Sequence, residues 1–133
     1  MKQISFRLKA GQLLKEEIEK TAVEKNIRAG VLLSVVGNLN KVALRMAGAS
    51  PGKQAIKNLE GPFEIVSGTG TISDQGCHIH ISISDNDGRV IGGHLKDGCE
   101  VRYTCEVVLG IFDDVEYIRV MDKETGFEEL QVL

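Results

Sequence analysis

The sequence has no tryptophan and few other aromatic residues, with two tyrosines and four phenylalanines among 133 residues, and it has only two prolines. Large aromatic anchors are therefore scarce, so any core must be built mainly from aliphatic side chains. Fifteen glycines, in contrast, indicate many turns. This combination is typical of a compact sheet protein.

Long hydrophobic runs are also missing. The longest apolar stretch, VLLSVV at residues 31–36, is far shorter than the ~20 residues that a membrane helix requires. The first residues, MKQISF, lack the apolar block and small-residue cleavage site of a signal peptide. We therefore expect a cytoplasmic protein with no membrane contact.

The three cysteines are an odd number, and no two of them form a CxxC pair. This pattern argues against a disulfide framework and against a sulfur-ligated zinc module. We predict that Cys77, Cys99 and Cys105 are free thiols that fill the core as small apolar side chains.

The sequence has no excess of basic residues. Sixteen lysines and arginines stand against nineteen aspartates and glutamates, which gives a formal net charge of −3. No overall positive field exists to attract a phosphate backbone, and no local basic patch is evident. Direct DNA binding is therefore not expected.

Hydrophobic periodicity predicts the first elements. Apolar residues alternate over 2–8, which indicates a half-buried strand, and they recur every three or four positions over 12–25, which indicates an amphipathic helix. The continuous apolar run at 29–36 predicts a strand buried on both faces. The sequence GNLN at 37–40 predicts a turn into another strand at 42–46.

Residues 48–61 carry turn formers without a clear period, so we predict one long loop there. The rest reads as strands separated by Gly and Asp turns, at 63–73, 77–84, 89–95, 99–112 and 115–121. The predicted fold class is α+β, a mainly antiparallel sheet with one N-terminal amphipathic helix in a single domain, 1–133. Because the edges of such a sheet must be covered or paired, we expect a homo-oligomer.

All three histidines of the chain lie between positions 78 and 94. In a strand, His78 and His80 share one face, and the intervening isoleucines face the core. Residues two apart are ~6.7 Å apart along a strand, a span that two imidazoles can close onto one ion with Zn–N bonds of ~2.0–2.1 Å. The pair is therefore a competent half of a metal site.

The position of His94 depends on the turn at 86–88. A two-residue hairpin loop would place His94 opposite Ile79, on the core face. A type I turn followed by Gly88 as a G1 bulge would instead place it opposite His80. Asn and Asp followed by Gly favour the second register, which predicts three converging histidines with an open ligand position, as in catalytic zinc sites. The alternative is that the imidazoles simply hydrogen-bond to nearby serines or backbone.

The run GCHIHISISDNDGRVIGGHL at 76–95 resembles the signature of the PPC domain, the plant and prokaryote conserved domain. VALR at 42–45, GPFEIVSGTG at 61–70 and CEVVL at 105–109 are similar to the same family, so the resemblance covers nearly the whole chain. It implies an α+β fold assembled as a homotrimer. As in prokaryotic members, it also implies a metal ion, zinc, on His78, His80 and His94.

The family resemblance also bears on partners. Plant members generally lack the three histidines, bind AT-rich DNA through a separate AT-hook, and use the domain for trimerisation and for contacts with other proteins. This chain has no such hook, and Pro62 stands where the plant motif usually has Arg. The fold further resembles that of acetolactate decarboxylase, whose zinc is also held by three histidines, although a fold does not carry a function by itself.

Three functions follow as hypotheses. The first is a homotrimeric assembly or interaction module that contacts a protein partner in a regulatory or DNA-associated role, with the metal stabilising the hairpin. The second is a zinc-dependent lyase or hydrolase for a small anionic substrate, in which Arg45 holds a carboxylate and Glu64 or Glu106 moves protons. The plainer alternative is that Arg45 forms a surface or interface ion pair and that both glutamates are structural. The third is direct DNA binding, which the charge disfavours.

Overall fold

The computed structural model describes all residues, 1–133. It contains one helix and eight strands, and every strand pairing is antiparallel. In chain order the elements are β1 (Lys2–Lys9), α1 (Leu14–Glu24), β2 (Gly30–Arg45), β3 (Ile56–Ser73), β4 (Gly76–Ser84), β5 (Val90–Leu95), β6 (Glu100–Ile111), β7 (Tyr117–Met121) and β8 (Glu128–Val132). The predicted α+β class, mainly antiparallel with one N-terminal helix, is confirmed.

The main sheet closes on itself. Its strand order is β1-β6-β2-β3-β4-β5, and β5 also pairs with β2. Strand β2 pairs with β3 along one edge, whereas its other edge is shared by β6 and, at the far end, by β5. The β2–β5 pairing consists of Leu44 with Leu95 and Arg45 with His94. Strands β2 to β5 therefore form a ring, and its closure brings Arg45 beside His94.

The core is aliphatic, as the shortage of aromatic residues predicts. Phe63 is the only aromatic residue in its cluster of 23 buried residues. Helix α1 contributes Leu14, Ile18 and Ala22, which are at most 1% exposed and lie on one face because they are four residues apart. The isoleucines of β4 are buried in the same cluster, so the histidines that alternate with them face outward.

The turn predicted at 37–40 is wrong, because β2 runs through it as one strand of 16 residues. The register of β2 against β6 shifts between Gly37 and Leu39 and again between Leu39 and Lys41. These irregularities bend the strand without ending it. Glycine is required at position 37, where a Cβ would lie 2.2 Å from the carbonyl oxygen of Thr104.

Two further predictions about burial and loop length are wrong. The segment 48–61 is not one long loop, because β3 begins at Ile56 and pairs with the end of β2. The segment 29–36 is not buried on both faces within one chain, since Leu33 is 47% exposed and Val36 is 57% exposed. In addition, the structure has an element beyond residue 121, strand β8, which pairs with β7 as a separate two-stranded hairpin.

The three cysteines are free, as predicted. Cys99 and Cys105 are completely buried, and Cys77 is partly buried against the core. Burial raises the pKa of Cys77 to about 12, that of Cys99 to about 11 and that of Cys105 to about 12. All three are therefore protonated at neutral pH and poor nucleophiles.

The only helix, α1, has 11 residues, and the structure contains no helix with the length and apolarity needed to cross a membrane.

Candidate metal centre

The turn between β4 and β5 has the three-residue geometry that its sequence predicts. The backbone N–H of Asp85 donates to the carbonyl of Arg89 at 3.0 Å, and that of Gly88 donates to the carbonyl of Asp85 at 3.0 Å. Gly88 has a φ of 78°, the left-handed conformation that glycine adopts without strain. The Asp85 carboxylate accepts hydrogen bonds from the backbone N–H groups of Asp87 and Arg89 at 2.9 and 3.0 Å, which fixes the turn.

This turn sets the register that brings the histidines together. His94 pairs directly with His80 across β4 and β5. The ring centroids of His78 and His94 are 4.6 Å apart, those of His78 and His80 are 5.0 Å apart, and those of His80 and His94 are 5.4 Å apart. One ligand nitrogen of each residue lies within 4.8 Å of the other two. The histidine cluster, His78, His80 and His94, therefore converges as predicted.

The spacing of the nitrogens fits a metal ion. Two imidazole nitrogens bound tetrahedrally to one zinc are ~3.3 Å apart, because each Zn–N bond is ~2.0–2.1 Å. The Nε2 atoms of His78 and His80 are 3.1 Å apart, which is close to this spacing. Three neutral imidazoles suit zinc, copper, nickel or iron, so donor chemistry alone leaves the choice among them open.

The surroundings keep the imidazoles of His78 and His94 neutral. Burial, with smaller effects from His80, Arg119 and Arg45, lowers the pKa of His78 below its usual value. Burial, followed by the charge of Arg45, lowers the pKa of His94 to about 3. A metal binds the unprotonated ring, so these two ligands need not lose a proton at neutral pH.

Arg45 lies against the cluster. Its Nη2 is 3.0 Å from Nδ1 of His94. Because a guanidinium can only donate, Nδ1 of His94 is the acceptor and the proton of the neutral ring is on Nε2. The Phe127 ring lies on Arg45, with 5.0 Å from its centroid to Cζ, which is a cation–π contact. No carboxylate of the chain lies within ion-pair distance of Arg45.

The structure does not bring Glu64 or Glu106 to the cluster. Glu64 is exposed on β3 and pairs with Ser84, four residues and therefore about 13 Å along β4 from His80. Glu106 is exposed on β6, where it pairs with Arg7 of β1. Neither residue lines the clefts that adjoin the histidines.

Two neighbours of the cluster come from the C-terminal hairpin, whose first strand is predicted from the sequence and whose second strand is not. Nη2 of Arg119 donates to Oγ1 of Thr71 at 2.9 Å, and Thr71 pairs with His78 across β3 and β4. Phe127, in the turn region before β8, covers Arg45. The turn sequence DKETG at 122–126, followed by a segment with strand character, was the available signal for this hairpin.

A cleft of about 450 Å³ opens beside the cluster. His78 and His94 line it on one side, and residues of the hairpin line it on the other. A second cleft, of about 400 Å³, reaches all three histidines from the side of Gly92 and Gly93. The cluster is therefore accessible to a ligand from solvent.

Two curated relatives contain a segment similar to this chain. It is 36% identical over 127 residues to the bifunctional protein GlmU of Synechococcus sp. strain JA-3-3Ab, a match that covers 96% of this chain and 20% of that protein. The GlmU of strain JA-2-3B'a(2-13) is 34% identical over 132 residues, which covers 99% of this chain and again 20% of that protein. The chain thus spans about a fifth of the length of these relatives.

Solved structures match over nearly the whole chain. A hypothetical protein of Salmonella cholerae-suis has a TM-score of 0.92 and 32% identity, covering 99% of this chain and 93% of that one. A metal-containing protein of Archaeoglobus fulgidus has a TM-score of 0.86 and 30% identity, covering 98% and 94%. Three further solved structures have lower sequence identity and show only that the fold is shared. They are a PPC protein of Pyrococcus horikoshii (22%, TM-score 0.81), a Bacteroides thetaiotaomicron protein provisionally described as DNA-binding (20%, 0.85) and acetolactate decarboxylase of Bacillus subtilis (18%, 0.52).

The family is established by a direct match. The model of the Plants and Prokaryotes Conserved (PCC) domain, the domain also abbreviated PPC, matches residues 1–113. The match includes the whole histidine hairpin and all six strands of the main sheet. The chain therefore belongs to the Plants and Prokaryotes Conserved domain family.

Proposed function

We propose that this protein is a homotrimeric assembly module of the PPC family that carries zinc on His78, His80 and His94. The convergence of three imidazole nitrogens within 4.8 Å is the observation that carries the proposal. A relative that shares 30% of its residues is described as metal-containing, which supports it. Zinc is the ion we favour, because three neutral imidazoles and one open position are a common zinc arrangement.

The metal is tested by elemental analysis of the purified protein. We expect about one zinc per chain in the wild type and a loss of most of it in His78→Ala, because two imidazoles hold the ion far more weakly than three. Ser82→Ala is the matched control, since Ser82 lies on the same face of β4 without belonging to the cluster. Equal zinc in the wild type and in His78→Ala would contradict the assignment.

The trimer and its partner are part of the same proposal. Several apolar side chains of the main sheet are more than 45% exposed in the single chain, namely Leu33, Val36, Val66 and Tyr103. The β2–β3 register on both sides of Val36 puts it opposite Val66, so these two form an exposed apolar pair. Because burial of apolar surface drives association, we propose that copies of this chain cover this pair.

The known relatives support a modular role. The same unit accounts for about a fifth of the GlmU proteins and for nearly all of the Salmonella protein. A unit found both alone and within a longer chain suits an assembly role in which the rest of its surface contacts a protein partner. Direct DNA binding is not part of the proposal, because the net charge is −3 and the chain has no basic hook.

A metal-dependent lyase or hydrolase is the second candidate function. Arg45 favours it, because a guanidinium without a carboxylate partner beside an accessible cluster is suited to an anionic substrate. Zinc would supply a Lewis acid and a bound water with a pKa near ~7. Glu64 and Glu106 do not line the clefts of their own chain. Their role in proton transfer therefore stays a prediction, and it requires that a neighbouring copy of the chain supply them to the site.

This second candidate is tested through the cluster. For any reaction found with the wild type, we expect His80→Ala to lose most of the activity, because its imidazole is one of three ligands. Zinc content and secondary structure are measured on the same samples. Full activity in His80→Ala would leave only the assembly role.

A further inference from the structure

We propose that Arg45 and Arg119, which we call the arginine pair, form a binding site for a small dianion with carboxylate or phosphoryl oxygens beside the histidine cluster. The inference deepens the proposed function of this site by naming the class of its ligand. It rests on the proposed function only in one respect, namely that a metal on the histidine cluster would act on a ligand in the same cleft.

The arginine pair flanks the cluster from two sides. Arg45 contacts His94 at 3.0 Å, and His94 stacks on His78 with 4.6 Å between ring centroids. On the other side, Thr71 pairs with His78 and accepts a hydrogen bond from Arg119 at 2.9 Å. Both arginine side chains also line the same cleft of about 450 Å³, a volume suited to a small molecule.

The charges in this cleft leave the arginine pair without carboxylate partners. The ionisable side chains of the lining, apart from the histidines and Cys77, are four basic and three acidic residues, namely Lys15, Arg45, Lys96, Arg119, Glu19, Glu128 and Glu129. Glu19 is ion-paired with Lys15 at 2.6 Å. No carboxylate oxygen lies within 4.0 Å of either arginine. A partly buried charge without a partner is costly, and an anion in the cleft would supply that partner.

Guanidinium groups specify the class of anion. Each presents a planar set of donors that matches the two oxygens of a carboxylate or a phosphate. Two such groups provide two positive charges, which favour a dianion over a monoanion. Glu128 and Glu129 of β8 line the same cleft, so they would repel an anion that extends toward β8. The site is therefore suited to a compact ligand held between the two arginines.

The C-terminal hairpin completes this site. Arg119 lies on β7, and Phe127, which contacts Arg45, lies just before β8. Both residues fall outside the 1–113 region that the family model matches. The hairpin thus supplies one arginine and positions the other. We infer that this hairpin determines which anion the cleft accepts.

Isothermal titration of the full chain as purified, at constant ionic strength, tests the proposal with inorganic phosphate, malonate and acetate. We expect wild-type protein to bind phosphate or malonate more tightly than acetate. Arg119→Gln should weaken that binding at least about tenfold, the effect of losing a charge-assisted hydrogen bond. Tighter phosphate binding would identify a phosphoryl ligand, and tighter malonate binding a carboxylate.

Two variants sharpen the test. Arg89→Gln removes an arginine from the β4–β5 turn, outside the cleft, and should bind as the wild type does. Arg119→Lys keeps the charge but not the planar donors, and should recover only part of the affinity. Equal affinity in Arg119→Gln and the wild type would overturn the proposal, as would the absence of binding to phosphate and malonate at about 10 mM.

Metal content separates this proposal from the previous one. Arg119→Gln should retain the zinc of the wild type, because Arg119 is not a ligand. Arginine-dependent anion binding in a protein that never holds a metal would contradict the zinc site and leave the arginine pair intact. Full zinc content without arginine-dependent anion binding would support the zinc site and overturn the proposal for the arginine pair.

Discussion

His94 has two kinds of neighbour that both require the lone pair of its neutral ring. Toward β4 it faces two imidazoles, which would share a metal ion with it, and toward β2 it accepts a hydrogen bond from Arg45. Both arrangements require a neutral ring, since an imidazolium has no lone pair. If the metal binds through Nδ1, it competes with Arg45 for the lone pair of that atom. Arg45 therefore affects both the protonation of His94 and its availability to a metal.

The protonation of His94 predicts how stability depends on pH in the metal-free protein. Burial and Arg45 lower its pKa from 6.5 to about 3 in the folded state. Below pH ~6.5 the unfolded chain takes up a proton that the folded chain does not, so the stability present above that pH is lost progressively toward pH ~3. The slope for one such group is at most ~1.4 kcal/mol per pH unit, and solvent screening at the partly exposed ring reduces it.

We therefore expect the Tm of metal-free wild type to fall more steeply between pH 7 and pH 4 than the Tm of His94→Gln. Carboxylates contribute to both curves equally, so the difference between the two isolates His94. Ser82→Ala serves as the control and should follow the wild type. Parallel curves for wild type and His94→Gln would contradict the prediction, because they would mean that the pKa of His94 is the same in the folded and the unfolded protein.

At the scale of elements, local turn chemistry could be predicted from the sequence and long-range pairing could not. The sequence of residues 85–89 contains nearly all the information that fixes the β4–β5 register, because Asp85 and Gly88 stabilise the turn themselves. Strand β2, in contrast, crosses three irregularities that no short window predicts. Residues 56–61 lack strand periodicity and become a strand only because β2 pairs with them.

Strand β8, and the contact of the β7–β8 hairpin with the cluster, were not predicted for a related reason. Arg119 and Phe127 reach the cluster through the tertiary contact of the hairpin with β3 and β2. Nothing in the spacing of these residues relative to the histidines indicates that contact. The three ligands could be predicted because one local turn relates them, whereas their arginine neighbours depend on how distant elements pack.

Deleting Asn86 tests the turn directly. The deletion shortens the loop to two residues, which shifts the register by one and moves His94 away from the face of His80. We expect the variant to lose most of its zinc and to be destabilised, because Leu95 would leave the core as well. Elemental analysis and thermal unfolding measure both effects.

Deleting Gly52 is the matched control for this experiment. Gly52 lies in the connection between β2 and β3, where a Cβ would meet nothing within 4 Å. This variant should keep its zinc. If the Asn86 deletion retained as much zinc as the Gly52 deletion, the register of the β4–β5 hairpin would not be what holds the site together.

At the scale of the whole molecule, the exposed apolar pair of Val36 and Val66 predicts self-association. The two side chains are 57% and 54% exposed in one chain. We expect light scattering with size-exclusion chromatography to give three times the chain mass of 14.5 kDa. Val36→Glu should shift the protein toward the monomer, because a carboxylate would then be buried without a partner in the interface.

Val23→Glu is the control for the association experiment. Val23 is 62% exposed on α1, which does not carry either residue of the apolar pair. The same substitution there should leave the mass unchanged. A wild-type protein that is already monomeric at micromolar concentration would contradict the trimer.

The β2–β5 closure of the strand ring has a further consequence for internal motion. Only two residue pairs form it, against nine between β2 and β3, and the backbone N–H of Lys96 extends it with a 3.1 Å bond to Ala43. The shortest pairing is expected to open most often, so the Lys96 amide should exchange its hydrogen with solvent faster than amides of the β2–β3 pairing. A metal shared by His94 and β4 would slow that exchange, and amide protection at Lys96 would then report occupancy of the site.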